Sequence, residues 1–182
     1  MRKIIDCRAS SLEERRKFYE KEFDIDKVKK WFKNNGLRVP QLCAVDAGTE
    51  TGIIKDKKLK GKMLFFLFGE LKRKIKKYLP EDIYYDRNFY DNPRKVLDRL
   101  KFGRWKRQEL VFDIDSDNVG CDCGKREVCD SCIIKAFNWA KKLKIELEKE
   151  FDKIMIVYSG RGFHVHIFDE RAFNLSLKER NL

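Results

Sequence analysis

The segment LVFDIDSDNVGCDCGKREVCDSC, Leu110 to Cys132, holds two sets of side chains whose types and spacing could do chemistry. Asp113 and Asp115 close an apolar run at alternate positions. Side chains alternate along a strand, so the two carboxylates share one face, ~6–7 Å apart, while Leu110, Phe112 and Ile114 enter the other. Carboxylates so placed repel unless a positive charge stands between them. A hard divalent cation suits that place, since Mg²⁺ takes a couple of carboxylates together with phosphate oxygens and water. Such a pair is one half of a two-metal nucleotidyl-transfer site. Asp115-Ser-Asp-Asn118 is equally ordinary turn chemistry, so the pair alone does not decide.

Cys121, Cys123, Cys129 and Cys132 follow, four thiols within twelve residues. In a reducing compartment they point to a metal rather than to disulfides. Four thiolates suit a closed tetrahedral Zn²⁺ site, structural rather than catalytic. The spacing fits a zinc knuckle better than the usual iron–sulfur arrangements. Cys7 and Cys43 stand alone and read as small core residues.

A third constellation is Ser159-Gly-Arg-Gly-Phe-His-Val-His166. Gly160 and Gly162 permit a tight turn and close approach of the backbone to a ligand. Arg161 offers a forked phosphate donor, Ser159 a hydroxyl and His164 a further donor. His164 and His166, the only two histidines, fall on one strand face opposite Val165 and Ile167. Alone this is a hairpin turn with polar strand residues. Beside a carboxylate pair that needs cations, it is the anion-binding half of a nucleoside triphosphate site.

These residues need elements to hold them. Ser11-Leu-Glu-Glu14 predicts a capping box opening a helix to about Glu22. Asp24 predicts a second helix with Ile25, Val28 and Phe32 on one face, closed by Asn35-Gly36. Periodicity fails from Leu37 to Gly61, which reads as loops or hairpins. Leu71, Ile75, Tyr78 and Leu79 recur at helical spacing until Pro80, Asp82–Asp86 reads as a short strand, and Asn92-Pro93 opens the helix of Val96, Leu97 and Leu100. Glu109–Asp115 is a strand. A helix from about Ile133 to Glu150 turns Ala136, Ala140, Leu143 and Leu147 inward, and two strands flank Ser159–Gly162. Interleaved helices and strands without repeat or linker predict one α/β (α+β) domain over 1–182 on a mixed or antiparallel sheet, with a zinc-binding element at 121–132.

Composition agrees with a folded domain, at 42% hydrophobic and 40% charged residues. No apolar run reaches the roughly 18–20 residues of a membrane span, and the first residues lack a signal-peptide core, so a cytoplasmic protein is expected. The net charge is +12, and Lys55 to Lys77 supplies ten Lys and Arg against two acids. That block suits a polyphosphate backbone and equally suits a solvated face.

The chain resembles the catalytic (small) subunit of archaeal and eukaryotic DNA primases. The resemblance is carried by VFDIDSD, by the CxC-x5-CxxC element after it, by YSGRGFHVHIFDE, by the tyrosine-rich IYYDRNFYDNP, and by FYEKEFDID with Lys21 in place of an arginine. It runs from about residue 15 to the end. The resemblance implies that Asp113 and Asp115 bind catalytic Mg²⁺ or Mn²⁺. It further implies that Ser159, Arg161 and His164 hold an incoming triphosphate, that Glu22 lies near the active site, and that Cys121, Cys123, Cys129 and Cys132 hold Zn²⁺. It also implies primer synthesis on single-stranded DNA from nucleoside triphosphates, a large regulatory partner subunit, and a nucleoid-associated location.

The family's third metal-binding aspartate lies well beyond the histidines. The chain ends at Leu182 before such a residue, and Asp169 stands too close to the histidines for the role. The expectation is therefore a truncated or split catalytic subunit, inactive alone and completed by a separate polypeptide. Two other readings compete: a non-catalytic zinc-stabilised module that binds nucleic acid or acts as a scaffold, and a primase-polymerase of repair or plasmid replication. The cysteine element and tyrosine-rich segment favour the replicative subunit over the last.

Overall fold

The structure, a computed structural model, describes residues 4–5 (backbone alone), 10–46, 63–120 and 128–180. In chain order the elements are β1 (Ile4–Ile5), α1 (Leu12–Lys21), α2 (Ile25–Asn34), β2 (Leu42–Asp46), β3 (Met63–Leu67), α3 (Leu71–Tyr78), β4 (Ile83–Tyr85), β5 (Asn88–Phe89), α4 (Pro93–Arg99) and β6 (Arg107–Gln108). There follow β7 (Leu110–Asp115), β8 (Val128–Cys129), α5 (Asp130–Leu147), β9 (Ile154–Tyr158), β10 (Gly162–Ile167), α6 (Glu170–Phe173) and α7 (Leu177–Arg180). Where the sequence predicts one domain, the chain packs as two compact units, residues 9–107 and residues 1–8 with 108–182. Helices and antiparallel sheets alternate as expected of an α/β fold. Among the described residues no helix is long and apolar enough to cross a membrane.

The first turns of the 9–107 unit follow from its caps. Ser11 Oγ accepts the Glu14 N–H at 3.2 Å while the Glu14 carboxylate accepts the Ser11 N–H at 2.7 Å, the reciprocal box that satisfies two orphan donors of α1. The Asp24 carboxylate accepts the Asp26 and Lys27 N–H groups and opens α2. α2 ends where Gly36 turns to φ +63°, and α3 ends on Leu79 at φ +42°, just before Pro80. Strand β2 lies between β3 and β4, antiparallel to both. Its Cys43 and Val45 join Phe66 of β3 in a core with Ile25, Phe68, Leu71 and Ile75. Burial pushes the Cys43 thiol up to about 12, as befits an inert core residue.

Strand β2 lies inside the stretch where the sequence shows no periodicity, and β3 just past its end. Four of the five β2 residues are buried, so both strand faces are apolar, and LCAVD carries no alternation to read. Residues 47–62, with much of the basic block, lie outside the described residues.

In the other unit β10 is the centre of a three-stranded antiparallel sheet ordered β7-β10-β9. Helix α5 covers one face, where fully buried Ala136 and Ala140 let it approach Phe163 and Val165, with Phe112, Ile114, Ile154 and Ile156 packed around them. The helix starts at Asp130, three residues before the predicted Ile133, because Cys129 holds the extended N-cap position. β8 pairs with β1 in register Ile4 to Cys129. Asp169 accepts the Asp152 and Lys153 N–H groups at 3.1 and 2.8 Å and so fixes the approach to β9.

Candidate active site

The sheet face opposite α5 carries the side chains singled out in the sequence. Register pairs Asp113 with His164 and Asp115 with Gly162 across β7 and β10, so alternation brings Asp113, Asp115 and His164 onto one face. His164 Nε2 lies 3.2 Å from Asp113 Oδ1, with the carboxylate 61% and the imidazole 37% exposed. The pair is open to solvent and to a ligand.

Asp115 sits deeper. Burial first, then the charges of Asp113 and Asp117, push its carboxyl above the ordinary carboxylate range, partly offset by Arg161 and His164. The two carboxylates therefore repel through a gap that the nearby cations only partly relieve, which is the electrostatic condition a hard divalent cation satisfies. Among the described residues no three His, Cys, Asp or Glu side chains converge as around one ion. A cation here would draw its remaining ligands from phosphate and water.

The turn holding Arg161 is built by backbone constraints. Ser159 N–H donates to Gly162 O at 3.0 Å, closing the turn, and Gly160 takes φ +97°, open to glycine but strained for other residues. At Gly162 a Cβ would meet Ile114 O at 2.3 Å and Asp115 Cα at 3.0 Å, so the close approach of β10 to β7 depends on its absence. Ser116 closes the other side: its N–H donates to Arg161 O at 3.3 Å and its buried hydroxyl donates to the same oxygen. Arg161 is thereby clamped by its backbone while its side chain, like that of Ser159, remains exposed. Sequence reasoning missed Ser116, whose role depends on register.

It also missed the pair beneath the site. His166 Nδ1 lies 2.6 Å from Glu109 Oε1, with side chains only 8% and 3% exposed, and the His166 ring stacks on Phe168 at 5.7 Å. Alternation puts Glu109 on the face of Asp113, but its diagonal relation to His166 needs the antiparallel register. Glu22 belongs to the 9–107 unit, where it is the exposed C-cap of α1.

Of the four clustered cysteines, Cys121 and Cys123 lie outside the described residues. Cys129 and Cys132 are buried thiols, not joined in a disulfide, with Sγ atoms 3.4 Å apart at the start of α5. Two thiols so close are a fit half-site for a tetrahedral metal.

The carboxylate pair of β7 and the Ser-Gly-Arg-Gly turn that leads into the histidine strand β10 thus share one antiparallel sheet, and similarity says which class of protein carries it. A family model described as DNA primase small subunit matches residues 112–182. A protein named "Uncharacterized DNA primase small subunit-like protein" from Archaeoglobus fulgidus is 35% identical over 207 residues, covering 95% of this chain and 70% of that one. The DNA primase small subunit PriS of Pyrococcus furiosus is 32% identical over 173 residues, 92% of this chain and 46% of its own. PriS of Methanobrevibacter smithii is 27% identical over 177 residues, 88% and 46% of the respective chains. The chain belongs to the DNA primase small-subunit family. It spans just under half the length of these two PriS relatives.

Proposed function

We propose that this chain carries the nucleotidyl-transfer site of a DNA primase catalytic subunit, joining nucleoside triphosphates into primers on single-stranded DNA. The observation that carries the reading is the register that sets Asp113 against His164 and leaves Asp115 facing Arg161. Asp113 and Asp115 would hold Mg²⁺ or Mn²⁺. When bound, such ions activate an attacking 3′-hydroxyl and neutralise a leaving pyrophosphate. Arg161 presents its guanidinium to a phosphate in forked geometry, and Ser159 and His164 add donors along the same turn. Ser116 and Gly162 hold that turn still, so little ordering cost falls on the bound nucleotide. Cys121, Cys123, Cys129 and Cys132 would hold one structural Zn²⁺ tying the start of α5 to the loop after β7. Glu22 near the active site is carried over from the resemblance alone. A large primase subunit and the single-stranded template are the partners this reading implies.

The test is Mn²⁺-dependent binding of a nucleoside triphosphate, read by calorimetry, beside template-dependent incorporation of labelled nucleotide. Asp113→Ala with Asp115→Ala should abolish the Mn²⁺ dependence and lower any incorporation by about 10³-fold. Unchanged Mn²⁺-dependent binding in the double variant would remove the assignment.

A further inference from the structure

Three rings stand in file along one face of β10. His164, His166 and Phe168 occupy alternate positions, and Phe168 extends the pairing just past the strand's end through its N–H to Lys153 O at 2.8 Å. The His164 and His166 centroids are 5.8 Å apart at 52°, those of His166 and Phe168 5.7 Å apart at 10°. Both distances lie within the range over which aromatic rings attract. Exposure falls down the file, from 37% at the His164 side chain to 8% at that of His166, and Phe168 is buried as well. Only the top ring reaches the candidate site.

The middle ring is tied sideways to Glu109, just before β7, whose Oε1 lies 2.6 Å from His166 Nδ1. An ionised carboxylate can only accept, so Nδ1 carries the hydrogen and the ring plane is set. Such a pair is a poor device for stability as such. Taking both groups out of water costs about what their attraction returns, and apolar residues of similar volume commonly do as well. The top ring, in contrast, needs support. His164 meets Asp113 in a contact open to solvent, and contacts of that kind hold their partners weakly. The last torsion of an imidazole is also broad and two-fold. A ring held by that contact alone would have to be ordered by the arriving phosphate.

We propose that His166, tied by Glu109 and backed by Phe168, is a positioning residue that braces the His164 imidazole from below, so that His164 meets a triphosphate already aimed. Buried as they are, His166 and Glu109 act through His164 and not on the nucleotide. The use made of His164 rests on the nucleotidyl-transfer reading; the brace itself does not.

The chain has only two histidines, so NMR relaxation of the ring carbons reports on each imidazole separately. In the full chain, in EDTA and without nucleotide, the His164 ring should be as ordered as the sheet backbone around it. A freely moving His164 ring in the parent would overturn the proposal before any variant is made. Glu109→Leu with His166→Leu exchanges the pair for apolar side chains and should leave the thermal midpoint near the parent's. It should nonetheless release the His164 ring and weaken Mn²⁺-dependent ATP binding by about 3- to 10-fold, the contribution of one hydrogen bond. Glu109→Gln should do the reverse, lowering the midpoint while its retained acceptor keeps the His164 ring ordered and the ATP affinity with the parent's. A pair that served stability alone would give the opposite pattern and so overturn the brace. In a His164→Ala background the leucine pair should weaken ATP binding by less than about twofold, because its effect passes through His164. An ordered His164 ring in the folded leucine variant, or a loss that adds in full to that of His164→Ala, would also overturn it. ATP binding untouched by His164→Ala would take His164 out of the triphosphate site, a failure of the nucleotidyl-transfer reading, and the ring measurement would still decide the brace.

Discussion

The 9–107 unit gathers the chain's net positive charge and exposes aromatic rings on a sheet. The 108–182 unit, with residues 1–8, balances 15 basic against 15 acidic residues and concentrates its polar groups on one sheet face. In the first, charge is spread over helices and bonded locally, as where Lys72 meets Asp26 at 2.6 Å on the surface. Exposed pairs of that kind contribute little to stability. In the second, a few side chains are held by register, and moving β10 by one residue would send His164 into the core. The difference teaches that one unit is built to attract over distance and the other to position within ångströms.

Metal chemistry offers the largest test of that contrast. Cys129→Ser with Cys132→Ser should unfold the segment around α5 and remove the one zinc equivalent that metal analysis is expected to find. A structural zinc contributes on the order of 10 kcal/mol of binding free energy to folding. Hydrogen exchange read peptide by peptide should rise across 128–147 and stay low in α1, α2 and β2. A zinc-free parent with full protection of α5 would dismiss the metal.

Buried polar pairs give the next effect, and each unit has one. Arg15 is 3% exposed at its side chain and donates to Leu79 O, Ser10 and Glu81, joining α1 to the end of α3. Arg15→Met should cost about 3–5 kcal/mol, since buried carbonyls and Glu81 lose a charged donor. Glu109→Gln should cost less, about 1–3 kcal/mol, because it keeps an acceptor near His166. Chemical denaturation should show both losses, with exchange rising in the unit that was altered. Equal changes in both units would mean that they unfold as one and would blur the comparison.

How much of this was legible depended on whether a signal was local. The capping box at Ser11, the Asp24 cap, Asn92-Pro93 and the Ala136/Ala140 face were readable because each is set by residues within a turn or two. The shared face of Asp113 and Asp115 was readable from alternation alone. Strands β2 and β3 were not, since apolar residues on both faces erase the period. Ser116 and Glu109 were hidden for another reason. Each acquires its role from a register set by contacts far away in sequence, and composition holds no trace of it.

The smallest expected effect sharpens the contrast most, because it reads the site without catalysis. The Asp115 carboxyl is pushed up by burial and by its acidic neighbours, so ionising it costs more in the folded chain than in the unfolded one. Its contribution to stability is therefore intact below the ordinary carboxylate range and lost as pH rises through the raised native value. Asp115→Asn removes that loss: its thermal midpoint should exceed the parent's by about 1–3 °C at pH 7. The difference should close by pH 3, where both side chains are neutral. Mg²⁺ should raise the parent's midpoint toward the variant's, because an ion bound only by the folded chain stabilises it, and leave the variant nearly unmoved. A lower midpoint for Asp115→Asn at pH 7 would mean that Arg161 and His164 already satisfy the carboxylate, and the electrostatic case for a cation would go with it.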